Sequence, residues 1–195
     1  MRIIAGAAKG RKLLSPPGGA KGSIRPTSDR AREALFSILG QRVHDAKVVD
    51  LFAGTGALAL EALSRGASFA VLVDSSPVAV SLMRQNAACC GFGGRVLVLQ
   101  RDLTRGLSFL KKAEPSFFYD LVFLDPPYGR YFQEKILREI AASDLLAPDS
   151  LVIAEERAGL ALPSNLEPLI LRQTRRYGDT AFWFYERSTG SQNGL

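Results

Sequence analysis

The sequence predicts an α/β fold: a mostly parallel sheet covered by helices on both faces and finished by an antiparallel strand. Three observations predict it. From residue 47, near-continuous apolar runs alternate with helical stretches, the pattern of parallel strands buried on both faces. A glycine-rich segment, Asp50 to Gly56, follows the first of these runs and opens a helix, as in α/β sheets that bind ligands at their strand ends. Two final strand-like runs are joined by Arg176-Tyr177-Gly178-Asp179, which leaves no room for a helix, so one terminal strand must turn back as a hairpin.

The elements follow in order. Residues 2–6 and 11–16 read as two short strands around Ala7-Ala8-Lys9-Gly10, a small hairpin. Pro16 to Gly22 is a Pro/Gly loop. A helix starts near Thr27-Ser28-Asp29, where a hydroxyl can cap it and Asp29 suits the first turn. Ala31, Ala34, Leu35 and Ile38 keep helical spacing and predict its buried face, with Arg30, Arg32 and Glu33 off the stripe. Strands are expected at 47–52, 69–74, 95–100, 119–125 and 150–155, and helices near 55–65, 77–90, 104–112 and 130–142. Leu169–Arg175 and Thr180–Arg187 form the closing hairpin, and the polar tail from Ser188 is expected to be disordered. The division is therefore a basic hairpin and loop at 1–24, one catalytic domain at 25–187 and a tail at 188–195.

Charge is unevenly spread. The chain of 195 residues carries a net charge of +6. Residues 1–32 hold eight basic side chains (Arg2, Lys9, Arg11, Lys12, Lys21, Arg25, Arg30, Arg32) against one acid, Asp29, while the rest of the chain is near balance. A basic block of this kind serves a polyanion, and Arg2, Lys9, Arg11, Lys12 and Lys21 are its candidate contacts. Its alternative is a solvated tail without a partner. No apolar run approaches the roughly 18 residues of a membrane span, and no signal peptide is visible, so a cytoplasmic protein is expected. One histidine, His44, and two adjacent cysteines, Cys89 and Cys90, offer no metal-ligand spacing, and both cysteines read as small core residues late in a helix.

Four segments carry chemistry. Glycines in Asp50-Leu51-Phe52-Ala53-Gly54-Thr55-Gly56 let the backbone turn tightly and approach a ligand. Gly54, Gly56 and Ala59 also fit a dinucleotide fingerprint, so this segment alone suits a nicotinamide enzyme as well. Asp74, ending the second strand, can accept hydrogen bonds from both ribose hydroxyls of an adenosine, or simply serve the following helix. Asp102, beside Leu103 after the third strand, can accept from an adenine amino group. Together these describe a nucleoside pocket. Asp125-Pro126-Pro127-Tyr128 ends the fourth strand. Prolines stiffen the backbone there, so the Asp125 carboxylate and the Pro126 carbonyl can address one planar amine. Accepting its two N–H bonds draws the nitrogen toward tetrahedral geometry and frees its lone pair for attack on a methyl group. Tyr128 can stack on the ring that bears the amine, as for a base taken out of its stack. A dehydrogenase has no use for this element.

The DPPY run behind a glycine-rich loop resembles motif IV of amino-methyltransferases, and Asp50–Gly56 is similar to their motif I. Met1 to Gly6, Lys9-Gly10-Arg11, Ile24 to Phe36 and Tyr177-Gly178-Asp179-Thr180 resemble the RsmD family of bacterial 16S rRNA guanine-N2 methyltransferases, which act on guanine 966. The likeness spans residues 1 to about 187, with Asp74 where many relatives have Glu. It implies a Rossmann-like class I methyltransferase sheet of seven strands with an antiparallel last strand. It implies S-adenosylmethionine as methyl donor, no metal, and ribosomal RNA of the small subunit as partner of a monomer. Donor contacts implied are Arg25, Thr27, Asp50, Phe52, Ala53, Gly54, Gly56, Asp74, Asp102 and Leu103, with the helix at Thr27–Phe36 at the methionine end. Asp125, Pro126 and Tyr128 are the implied catalytic residues, and the basic hairpin is expected over the mouth of the site.

Three rival readings are weighed. An adenine-N6 methyltransferase on DNA or RNA uses the same motif, although DNA enzymes usually carry a larger recognition domain. Glutamine-N5 protein methyltransferases more often begin the motif with Asn, against Asp125. A non-catalytic RNA-binding assembly factor would have a broken DPPY or glycine loop, and both are intact here.

Overall fold

The computed structural model describes residues 1–16, 29–114, 116–126 and 130–188, without the side chains of Arg130 and Tyr131. The predicted cap of the first helix, most of the Pro16–Gly22 loop and the tail beyond Ser188 lie outside the described residues.

The strands are β1 (Lys47–Leu51), β2 (Phe69–Asp74), β3 (Val96–Gln100), β4 (Tyr119–Leu124), β5 (Leu146–Arg157), β6 (Asn165–Leu166), β7 (Leu169–Tyr177) and β8 (Thr180–Arg187). The helices are α1 (Asp29–Leu39), α2 (Ala57–Ser64), α3 (Pro77–Cys89), α4 (Ser108–Ala113) and α5 (Arg130–Ala141). All the strands form one sheet in the order β3-β2-β1-β4-β5-β8-β7-β6. β1 to β5 pair in parallel, and β8 runs against both β5 and β7. The expected seven strands are present with the last one reversed, and β6 adds a two-residue strand outside β7.

Alternation within apolar strands builds both layers. Val48, Leu72, Phe123, Ile153 and Phe184 face α1, α2 and α3. Val49, Val73, Leu124, Ala154 and Tyr185 face α4 and α5. Successive strand residues point to opposite faces, so a continuous apolar run fills two cores at once. Sheet order reverses between β1 and β4, which opens a crevice at the carboxyl ends of those two strands.

The first helix departs from its predicted face. Arg32, expected off the apolar stripe, is fully buried together with Ala31, Leu35, Phe36 and Leu39. Its guanidinium donates to the Arg2 carbonyl, meets Asp29 at 3.1 Å and lies 3.9 Å from Glu61, itself fully buried on α2. Burial lowers the proton affinity of Arg32, and the charges of Glu61 and Asp29 oppose that. Glu61 also accepts the amides of Ile4 at 2.7 Å and Ala5 at 3.0 Å, and Arg65 Nε at 2.7 Å.

Those bonds explain why the amino-terminal hairpin is less regular than predicted. Only Arg2 and Lys12 pair as in a sheet. Amides at Ile4, Ala5, Ala8 and Leu14 are taken by the side chains of Glu61, Ser64 and Asn86 instead of by a facing strand. Ile3, Ala8 and Leu13 enter the core beneath. The cysteines differ as well: Cys90 is buried, but Cys89 is exposed, because consecutive helical positions point about 100° apart.

Replacing Glu61 with Ala leaves Arg32 buried without its carboxylate and unties two hairpin amides. We expect a loss of roughly 3–5 kcal/mol in urea unfolding, the usual result of breaking a buried pair from one side. Amide exchange at Ile4 and Ala5 should accelerate together; a loss below about 1 kcal/mol with unchanged exchange contradicts the assignment.

Candidate active site

The glycine loop lies at the carboxyl end of β1. Gly56 stands before α2 with φ 80°, and a Cβ there would come within 2.7 Å of the Leu72 side chain, so only glycine fits. Phe52 also takes a left-handed conformation, with φ 67°, a strain of roughly 1–2 kcal/mol for a residue with a side chain. Its ring is held edge-on against Phe132 of α5 at 5.3 Å. The Ala53 amide donates to the Val73 carbonyl at 2.9 Å, which ties the loop to the end of β2.

Two acids lock this geometry. Asp50, buried at the end of β1, accepts the Ala59 amide at 3.2 Å and so joins strand to helix. Asp74 accepts the Gly54 amide at 3.0 Å through one oxygen and the Ser76 amide at 2.9 Å through the other. Ser76 caps α3. Asp74 thus serves the helix start, the second of its two readings, and also fastens the glycine loop. Each oxygen keeps a further lone pair for a hydroxyl.

Asp102 follows β3 and is exposed. It accepts from both the Thr104 amide, at 3.0 Å, and its hydroxyl, at 2.7 Å. Those bonds hold its carboxyl below the ordinary range. The second oxygen lies 3.7 Å from Arg105. Leu103 beside it is buried.

Asp125 and Pro126 end β4 at the crevice, Asp125 half-buried and Pro126 buried. Leu124 is in register with Ala154, so Asp125 and Glu155 come from neighbouring positions on adjacent strands. Strand alternation places Asp50, Asp125 and Glu155 toward the α1–α3 side. Their crowding shows in their proton affinities. Asp50 is pushed up to about 7, first by burial and then by Asp74 and Glu155, while the Ala59 amide opposes the rise. Asp125 is raised well above the carboxylate range by burial first, then by Glu155, Asp50 and Glu156.

Sequence reasoning overlooked Glu155, Glu156 and Gln133. Gln133, wholly buried on α5, donates to the Glu155 carbonyl at 2.7 Å and so fixes the end of β5 against the helix that follows Asp125. The signal for Glu155 was present: it stands at a strand end, like Asp50, Asp74 and Asp125. Arg25, Thr27, Tyr128 and Lys21 lie outside the described residues.

Arg2, Lys9, Arg11 and Lys12 are all exposed. Their hairpin does not lie over the mouth, as expected from the resemblance, but along α2. Ala7 donates to the carbonyl of Ser64, the last residue of that helix, at 2.7 Å. The hairpin turn is therefore roughly 10 Å below the glycine loop, one length of α2. Only its outgoing end returns: Asn86 bonds both the Leu14 backbone and, at 2.9 Å, the Thr55 carbonyl. Among the described residues no cluster of metal-ligand side chains is present, and no helix is long and apolar enough to cross a membrane.

Comparison with known proteins adds four findings. Residues 1–186 match the family described as Conserved hypothetical protein 95. Ribosomal RNA small subunit methyltransferase D of Escherichia coli K12 is 34% identical over 196 residues, covering 99% of this chain and 93% of that protein. The solved structure of yhhF from Escherichia coli has a TM-score of 0.79 at 32% identity, covering 96% of this chain and 98% of that one. The same fold recurs, at a TM-score of 0.64 and 18% identity, in an RNA methyltransferase from Salinibacter ruber solved with S-adenosyl-L-homocysteine, over 88% of this chain and 99% of that one.

The raised proton affinity of Asp50 has a consequence for stability. The folded chain holds a proton that the unfolded chain loses above 3.8, so this contribution to stability is complete below 3.8 and is lost as pH rises to about 7. Asn keeps an acceptor for the Ala59 amide and carries no charge. Asp50→Asn should therefore gain stability over the parent chain as pH is raised, with a higher urea midpoint at about pH 8 and little difference at about pH 4. Equal midpoints at both values contradict the buried, proton-holding carboxyl.

Proposed function

Since the chain belongs to the RsmD family, the family described as Conserved hypothetical protein 95, we propose that it transfers a methyl group from S-adenosylmethionine to the exocyclic N2 of a guanine in 16S ribosomal RNA, at the position numbered 966. The observation that carries this reading is the placement of Asp125 and Pro126 at the crevice between β1 and β4, among other strand-end carboxylates.

The residues present fit the donor. Asp50, Asp125 and Glu155 crowd acidic groups into a partly desolvated crevice, where a ligand bearing a sulfonium and an ammonium favours their charged forms. Asp74 retains lone pairs for ribose hydroxyls beside the Gly54 amide. Asp102 has one oxygen outside its Thr104 bonds for an adenine amino group, with Leu103 as apolar backing. Phe52, Ala53 and Gly56 shape the loop between them. Arg25 and Thr27 are assigned to the methionine end, and Tyr128 to stacking on the target base, by resemblance to the family.

Bound there, the donor supplies a methyl group on positively charged sulfur. The chain supplies position and acceptors. Asp125 takes one N–H of the guanine amine and the Pro126 carbonyl takes the other. The nitrogen turns tetrahedral, and its lone pair lies in line for attack. The proton shed after transfer passes to Asp125, whose raised proton affinity suits it to that task, or to water. Positioning and desolvation then account for most of the rate. The exposed basic hairpin holds RNA phosphates along α2 rather than at the reacting base. We assign the enzyme to the cytoplasm, as a monomer acting on assembled small subunits, where the shape of the particle supplies the specificity that few base contacts cannot.

Small subunits from cells lacking the enzyme, incubated with labelled S-adenosylmethionine and then digested to nucleosides, should yield N2-methylguanosine. N6-methyladenosine would replace this reading with the adenine one; donor binding without any transfer would leave an assembly factor. Asp125→Ala should lower the single-turnover rate by at least about a hundredfold and change donor affinity by less than about threefold, because the carboxylate acts on the rehybridising amine.

A further inference from the structure

We propose that the β7–β8 hairpin is a second phosphate-binding surface for the RNA acceptor, with Arg175 and Arg176 as its contacts. The inference rests on the RNA-methylating function proposed above.

β7, Leu-Ile-Leu-Arg-Gln-Thr-Arg-Arg-Tyr, carries three arginines and no acid. Arg172, Arg175 and Arg176 are all exposed. Near-balance of charge across residues 33–195 conceals this local excess. The three are not equivalent. Arg172 sits at the register shift between Leu171 and Gln173 and meets Glu186 at 3.2 Å, and Glu186 also holds Arg42 at 2.7 Å. Its charge belongs to that network. Arg175 and Arg176 lie further along, toward the hairpin tip, one on each face of this edge strand. Arg176 Nε donates to the Gly178 carbonyl at 2.9 Å, which ties its guanidinium to the turn.

Topology brings this tip to the active-site end. β8 runs against β5, and β7 runs against β8, so β7 points the same way as β5. Its carboxyl end therefore lies at the end of the sheet that bears Asp125 and Glu155. The Ala158 amide donates to the Asp179 carbonyl at 2.8 Å, and Arg157 is in register with Thr180, so the tip is fastened to the end of β5. Tyr177 braces it from within, its ring 6.0 Å from that of Phe182. Only three strand spacings, roughly 14 Å, separate β4 from β7. A strand of RNA whose base enters at Asp125 reaches the tip within a few nucleotides. The amino-terminal basic segment lies against α2, with its turn roughly 10 Å below the glycine loop, so the tip offers a separate group of cations at the crevice end of the sheet. Arginine forks match phosphate oxygens in pairs.

A competing role is to keep other chains from pairing with this edge. β6 covers only Leu169 and Ile170, and Ser164 accepts the Leu171 amide. Beyond that point, no described strand pairs with the outer edge of β7. Charged side chains on such an edge prevent pairing with other chains. Glutamates guard an edge as well as arginines do, but repel phosphate. Charge reversal therefore separates the two roles.

The experiment compares the parent chain with Arg175→Glu/Arg176→Glu, Arg175→Lys/Arg176→Lys and, should the reversed pair fold poorly, Arg175→Gln/Arg176→Gln. Methylation of small subunits is followed across a range of salt, alongside calorimetric S-adenosylmethionine affinity and sedimentation. Charge reversal should lower kcat/KM at least about tenfold and reduce the log–log salt slope by about two, one per lost phosphate contact. Donor affinity and sedimentation should not change, and the Lys pair should stay within about threefold of the parent. A reversed or neutralised pair with parental kcat/KM and slope overturns the proposal and leaves the arginines as an edge guard. A parent chain that methylates no RNA overturns the function beneath it instead, and the two failures are distinct.

Discussion

Parallel strands that share a direction also share an end, and this chain places a carboxylate at that end on four of them. Asp50, Asp74, Asp125 and Glu155 close β1, β2, β4 and β5, and the sheet order brings β1, β4 and β5 side by side. Burial then opposes the ionisation of Asp50 and Asp125. Asp50 and Asp125 hold their protons more tightly than free carboxyls do, and the nearby charge of Glu155 adds to burial at both. The crevice is thus poised for groups that bring positive charge or N–H donors. The glycine loop, the Asp74 bracket and the Gln133 clamp on β5 all hold these strand ends in place.

A second buried carboxylate organises what lies outside the sheet. Glu61 has no part in the chemistry, but it gathers Arg32, Arg65 and the amides of Ile4 and Ala5. One side chain of α2 thereby fastens the amino-terminal segment to the helix that begins at the glycine loop. The backbone of that segment cannot swing freely, so the distance of its basic residues from the crevice is set by the core.

Local pattern made much of this legible in the sequence. Strands buried on both faces leave apolar runs, and the helices between them leave spacing and caps, so β1 to β5 and the closing hairpin were readable within a few residues. Strand-end acids identified Asp50, Asp74 and Asp125 because topology, not side-chain detail, decides where they lie. The reading stopped at long-range pairing. Arg32 was assigned to solvent because its partner, Glu61, is remote in sequence and nothing local marks the pair. The hairpin was drawn with strand-to-strand bonds because the acceptors that take its amides lie on α2 and α3. Glu155 was missed by applying the strand-end rule to four strands and not to β5. Cys89 and Cys90 were treated alike, although consecutive helical positions point about 100° apart and only Cys90 turns to the core.

The central claim is that the crevice holds crowded, partly protonated carboxyls whose repulsion a cationic donor relieves. Carbon-13 NMR of aspartate side-chain carboxyls, assigned through Asp50→Asn and Asp125→Asn, measures this directly across a pH titration. Without ligand, Asp50 should titrate near 7 and Asp125 well above the ordinary range. Saturating S-adenosylmethionine should lower both transitions, and its uncharged-sulfur product should lower them less. Carboxyls that titrate near 4, or that respond equally to both ligands, would contradict the account.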